Sequence, residues 1–181
     1  MSATEYLQQM IDSAVMSVDV IAAPLEVAAT TATQSLLQGG TLYCCAVGCD
    51  RSLAQFTADR LMYPVDQDRP ALPALALVGP QSAALDDSPW RDVRAFLRDG
   101  DTLLCIDSSA RGSNLQTAIT AVADRDVRLL GLTHTAIEDI DSAGKYTIIA
   151  LPGDARATLL GMQALALNCL SELIESQLFG G

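Results

Sequence analysis

Basic residues are scarce in this chain: 11 Lys and Arg stand against 22 Asp and Glu, and no basic run occurs. The net charge of −11 opposes direct nucleic-acid binding, because a duplex is gripped through phosphates that call for Lys and Arg. A protein partner or a small ligand is expected instead. Histidine is scarcer still. The only one, His134, lies far in sequence from the five cysteines, Cys44, Cys45, Cys49, Cys105 and Cys169. Their number is odd, two are adjacent, and no Cys-x-x-Cys pair exists, so neither a disulfide framework nor a zinc site is expected. They read as small apolar residues of a reducing compartment. No apolar stretch reads as approaching the roughly 20 residues of a membrane span, and the opening MSATEYLQQM is polar and acidic, unlike a signal peptide. The expected location is the cytoplasm, with no membrane contact and no cofactor.

Half of the 181 residues are apolar, only 18% are charged, and the mean hydropathy is +0.26. That composition excludes disorder and suits one packed domain over residues 1–181. Residues 2–37 have helical periodicity, with Pro24 placed to begin a second helix and Gly39-Gly40 to close it. LYCCAV (42–47), ALPALALVG (71–79), TLLCI (102–106), RLLGLT (128–133) and YTIIAL (146–151) are short apolar runs that read as buried strands. Helical patterns over 53–62, 90–100, 115–126 and about 156–178 separate or follow them, with a loop at 80–89. Strands alternating with helices predict an α/β fold: a doubly wound, five-stranded parallel sheet flanked by helices, of the flavodoxin-like type. Residues 1–40 would supply oligomerisation helices and 41–181 the sheet core and last helix.

In such sheets ligands bind outside the carboxyl ends of the strands. Two loops qualify, Val47–Ser52 after the first strand and Asp107–Asn114 after the third. Each precedes a helix whose amides and dipole favour an anion. The candidate residues are Gly48, Asp50, Arg51 and Ser52 in the first loop and Asp107, Ser108, Ser109, Arg111 and Ser113 in the second. Helix capping is the plainer role for Ser, Asp and Asn at such places.

The stretch LYCCAVGCDRSLAQFTADRLMYPVDQDRPALPALAL (42–77), with GDTLLCI (100–106) and NCLSELIESQLF (168–179), resembles the sugar isomerase (SIS) domain family over essentially the whole chain. The resemblance is closest to its phosphoheptose isomerase and DiaA branches, and it implies phosphosugar binding at the two loops. The first loop of the family usually runs Gly-Asn-Gly-Gly/Thr-Ser, whereas Ala46-Val47-Gly48-Cys49-Asp50 stands here. The second usually begins Ser-Thr-Ser, whereas Asp107-Ser108-Ser109 stands here. A carboxylate about 4 Å from a phosphate repels it by roughly 4 kcal/mol per charge pair at an effective dielectric of about 20. Two readings follow for Arg51 and Arg111: paired with Asp50 and Asp107 they cross-link the loops and fill the phosphosugar space, or they face solvent while the acids cap helices.

The resemblance also places the isomerase acid, base and metal ligands at Phe56, Arg60, Leu160 and Asn168. None of the four side chains suits moving a proton between sugar carbons, which leaves His134 as the remaining candidate base. Three functions are expected in this order: a non-catalytic DiaA-like protein, binding DnaA and/or a carbohydrate derivative; a phosphosugar-sensing regulator; and a phosphoheptose isomerase-like enzyme acting on sedoheptulose 7-phosphate. In DiaA a C-terminal Leu-Phe pair belongs to a DnaA-contacting surface, and Leu178-Phe179 match it. A homotetramer, at least a dimer, is expected from the apolar first and last helices.

Overall fold

The computed structural model describes residues 1–64, 68–78, 88–109, 112–134, 144–153 and 156–180. Ser2 opens the first helix. Its hydroxyl accepts the Glu5 N–H at 3.2 Å while the Glu5 carboxylate accepts the Ser2 N–H at 2.6 Å, a reciprocal capping box. Helix α1 (Ala3–Leu37) then runs unbroken through Pro24, which corrects the expected second helix. Proline removes one backbone bond from the helix, but the carbonyl four residues back belongs to Val20, a half-exposed residue. Buried Ile21, Leu25, Ala28 and Ala29 on the flanking turns hold the helix to the core.

One stretch of α1 is long and apolar enough to cross a membrane by length and composition, where none was expected. Glu5, Asp12, Asp19 and Glu26 break that helix into short apolar runs in sequence. The helix's apolar side chains are divided along its length rather than around it, the second half packed on the core and the first half open. Ile21 and Leu25 are buried, whereas Leu7, Ile11, Val15, Met16 and Val18 are each more than half exposed.

Beyond α1 the chain alternates as expected: β1 (Leu42–Ala46), a 3-10 turn over Gly48–Asp50, α2 (Arg51–Met62), β2 (Ala74–Leu77), α3 (Ser88–Phe96), β3 (Thr102–Asp107), α4 (Ser113–Val122), β4 (Arg128–Thr133), β5 (Tyr146–Ala150) and α5 (Arg156–Phe179). Strand β2 is shorter than the 71–79 run because Pro70 and Pro73 cannot donate to a ladder. Helix α3 stops at Phe96 rather than near 100. Just past it the Asp101 carboxylate accepts the Arg98 N–H at 2.7 Å and the Thr41 N–H at 2.8 Å, tying that turn to the start of β1. The expected loop at 80–89 lies mostly outside the described residues.

All strand pairs are parallel, in the order β2-β1-β3-β4-β5. Period-two alternation sends Leu42, Cys44 and Ala46 to one face with Leu104 and Ile106, where they pack among core residues of α1, α2 and α5. Tyr43, Cys45, Leu103 and Cys105 go to the other face, against Trp90 and Val93 of α3 and Leu115, Ala118 and Val122 of α4. Both faces are covered, so the strands are apolar throughout. Helices α1 and α5 run side by side in the same direction: a Cβ at Gly161 would meet Met10 at 2.3 Å, and Gln177 donates to Thr30 at 3.4 Å.

Candidate functional site

Leaving β1, the chain turns to β2 on one side of the sheet, and leaving β3 it turns to β4 on the other. The order therefore reverses between β1 and β3, and such a reversal opens a crevice outside the carboxyl ends of those strands. Parallel pairing sets Ala46 beside Ile106 at their last turns, which brings the loop after β1 against the loop after β3. The two candidate loops thus face each other, although 58 residues separate Asp50 from Ser108.

Asp50 joins them. Its side chain is buried, its Oδ2 accepts the Ser108 N–H at 2.7 Å, and its Oδ1 accepts the Cys49 thiol at 3.6 Å. The Cys49 sulfur also lies 3.9 Å from the Ser108 hydroxyl. Asp107 is fully buried and does different work. Its Oδ1 accepts the Ser109 N–H at 2.9 Å and the Asn114 side-chain amide at 3.1 Å, and its Oδ2 accepts the N–H groups of Asn114 and Leu115, each at 3.0 Å. The last two are first-turn donors of α4, a helix whose N-cap residue, Gly112, has no side chain to serve them. The Ser109 hydroxyl accepts the Ser113 N–H at 3.1 Å.

The two acids divide the two readings between them. Asp107 caps a helix, from the end of a strand. Asp50 does cross-link the loops, but the bond that does so runs to the Ser108 backbone amide. Arg51 is half-buried and engaged in contacts of its own, Arg111 lies outside the described residues, Gly48 is exposed with φ +65°, and the Ser52 hydroxyl donates back to the Cys49 carbonyl at 3.1 Å. Asn114 and Cys49, which take part in this network, carried no sequence signal beyond their position in the loops.

Asp50 and Asp107 place two carboxylates at the base of the crevice. Beneath it Cys45 and Cys105 are register partners on β1 and β3. A hydrogen bond from the Cys45 side and full burial push the Cys105 thiol well up, and the nearby Asp107 and Asp50 carboxylates add to the rise. Cys44 is likewise raised by burial. These buried thiols are inert apolar fillers at neutral pH.

On the helices, Phe56 is exposed, while Leu160 and Asn168 are half-buried on α5. Arg60 is ion-paired with Glu172 of α5. Arg69, missed in the sequence, is a buried guanidinium that bonds to Glu175 at 2.8 Å and to the carbonyls of Leu61, Pro70 and Arg60 at 2.9, 3.0 and 3.1 Å. It also lies 5.8 Å from the centre of the Phe179 ring. The signal that could have found it is a lone arginine opening an apolar, proline-bounded strand, RPALPALAL (69–77). Phe179 itself is 40% exposed and Leu178 packs partly against the core. His134 follows Thr133, the register partner of Asp107, and its Nδ1 is buried with no partner among the described residues. No group of three His, Cys, Asp or Glu placed to hold a metal occurs among the described residues.

No family model matches the chain. It is 31% identical over 180 residues to the phosphoheptose isomerase of Chromohalobacter salexigens, covering 94% of this chain and 91% of that one. It is 32% identical over 186 residues to the DnaA initiator-associating protein DiaA of Serratia proteamaculans, covering 97% and 93%. Among solved structures, the phosphoheptose isomerase of Francisella tularensis superposes with a TM-score of 0.84 at 21% identity, over 97% of this chain and all of that one. That of Neisseria gonorrhoeae does so at 0.81 and 23%, over 96% of each. With relatives this similar along its whole length and this sheet order, the chain belongs to the sugar isomerase (SIS) domain family that includes the phosphoheptose isomerases and DiaA proteins.

Proposed function

We propose that this chain is a non-catalytic, cytoplasmic SIS-domain protein of the DiaA kind, which binds a protein partner, DnaA, and/or a carbohydrate derivative as a homotetramer. The observation that carries the reading is the fate of the position that Arg60 occupies. A permanently charged guanidinium spent on Glu172 has no proton to exchange at neutral pH, and Phe56, Leu160 and Asn168 carry no acid or base. The 32% identity to DiaA supports the partner, as does Phe179, whose ring is 40% exposed on the last turn of α5. The exposed apolar side of α1 supports the assembly, since a flank of that kind calls for cover. Light scattering at micromolar concentration is expected to give the mass of four chains, and a monomer would refute that part.

The decisive assay is turnover of sedoheptulose 7-phosphate, coupled to product detection, with and without added zinc. No turnover is expected in either condition. A second reading, an isomerase with rearranged residues, draws on the similarity to phosphoheptose isomerases and on the unpartnered Nδ1 of His134. Turnover that vanishes in His134→Ala would establish it.

A further inference from the structure

Five backbone donors around the second loop of the crevice are already taken. Where a strand runs into a helix, free backbone N–H groups and the positive end of the helix dipole make an anion site. Here the Ser108 N–H is held by Asp50, the Ser109, Asn114 and Leu115 N–H groups by Asp107, and the Ser113 N–H by the Ser109 hydroxyl. Asp107 lies at the end of its own strand, below α4, as a cap. Asp50 is the different case: it reaches across from the opposite loop, is 2% exposed, and places a carboxylate oxygen 2.7 Å from a backbone amide. That is the distance and charge of a bound oxyanion.

We propose that Asp50 is a specificity-determining residue, an anion built into the crevice, and that it restricts the ligands of this site to carbohydrates without a phosphate group. The inference rests on the reading that the crevice is a carbohydrate site. A phosphate monoester must displace the Asp50 carboxylate from Ser108 and then remain beside it as a like charge, with Asp107 close behind. A neutral sugar meets neither obstacle. Hydroxyl groups can share the remaining acceptor capacity of the Asp50 carboxylate, and the unpartnered Nδ1 of His134 lies one residue beyond the strand register partner of Asp107. The Asp50 side chain thus does two things with one contact: it latches the two loops and closes them to phosphate.

The test is binding of inorganic phosphate and of sedoheptulose 7-phosphate to wild type, Asp50→Ser and Asp50→Asn, by calorimetry at pH 7. Wild type is expected to bind both with Kd above about 10 mM, and Asp50→Ser to gain about tenfold or more. Serine frees the Ser108 N–H and supplies a hydroxyl donor. Asparagine keeps the shape and removes only the charge, so its gain is expected to be smaller. It also serves if the serine variant fails to fold. Saturable wild-type binding below about 1 mM would overturn the inference, as would folded variants that gain nothing. Wild-type binding without turnover would count against this inference alone, whereas turnover would count against the non-catalytic reading as well.

Discussion

Replacing Asp107 with alanine is expected to lower the unfolding free energy by about 4 kcal/mol, the cost of stranding buried donors at roughly 1–3 kcal/mol each with partial relief by water. Four N–H groups lose their acceptor at once: the backbone amides of Ser109, Asn114 and Leu115, and the Asn114 side-chain amide. The site is fully buried, so few waters can take over. For a chain of this size the melting temperature should fall by about 10 °C. Asp107→Asn keeps the volume and one acceptor oxygen, so about half of the loss is expected. Calorimetric melting of both variants checks the order, and an alanine variant within 1 °C of wild type would show that the cap is dispensable.

Arg69→Ala is expected to cost about 3 kcal/mol and to loosen the C-terminus, because removing one member of a buried pair leaves the other charge uncompensated. The abandoned groups are the Glu175 carboxylate and the carbonyls of Leu61, Pro70 and Arg60. Lysine should rescue little, since one ammonium cannot reproduce the planar fork that reaches four acceptors and lies over Phe179. The measurement with most to say is hydrogen exchange in the last turn of α5, expected to quicken about tenfold as local opening becomes easier. Unchanged exchange would mean that Phe179 is held by α5 alone. A double-mutant cycle with Glu175→Ala isolates the pair from the carbonyl bonds.

What could be read from the sequence followed from local chemistry. The strands LYCCA (42–46) and TLLCID (102–107) are buried on both sides, so their apolar runs announced a parallel sheet without any knowledge of the neighbours. The places where reading stopped are those where distant residues meet. Asp107 could be read as a cap or as a partner of Arg111, because the helix it caps begins six residues later and only the turn between them brings the amides to the carboxylate. Asp50 and Ser108 are 58 residues apart, and Arg69 and Glu175 are 106 apart. No spacing rule links such pairs. Pro24 failed in the opposite sense: its local signal was real, but the burial of Ile21, Leu25 and Ala28 outweighed the lost bond. In α1, Glu5, Asp12, Asp19 and Glu26 recur every seven residues on one side and conceal, in a linear sequence, how apolar the rest of the circumference is.

At about 1.5 Å per residue, the 35 residues of α1 extend roughly 52 Å, far more than the sheet beneath needs. The first half of that rod, from Leu7 to Val18, bares apolar side chains in the free chain. If further copies cover it, as proposed, a solitary chain is a poor solute as well as an incomplete assembly, and folding and association share one equilibrium. Dilution would then act as a denaturant: the same molecule should melt earlier at nanomolar than at micromolar concentration, and any stability assigned to it carries a concentration with it.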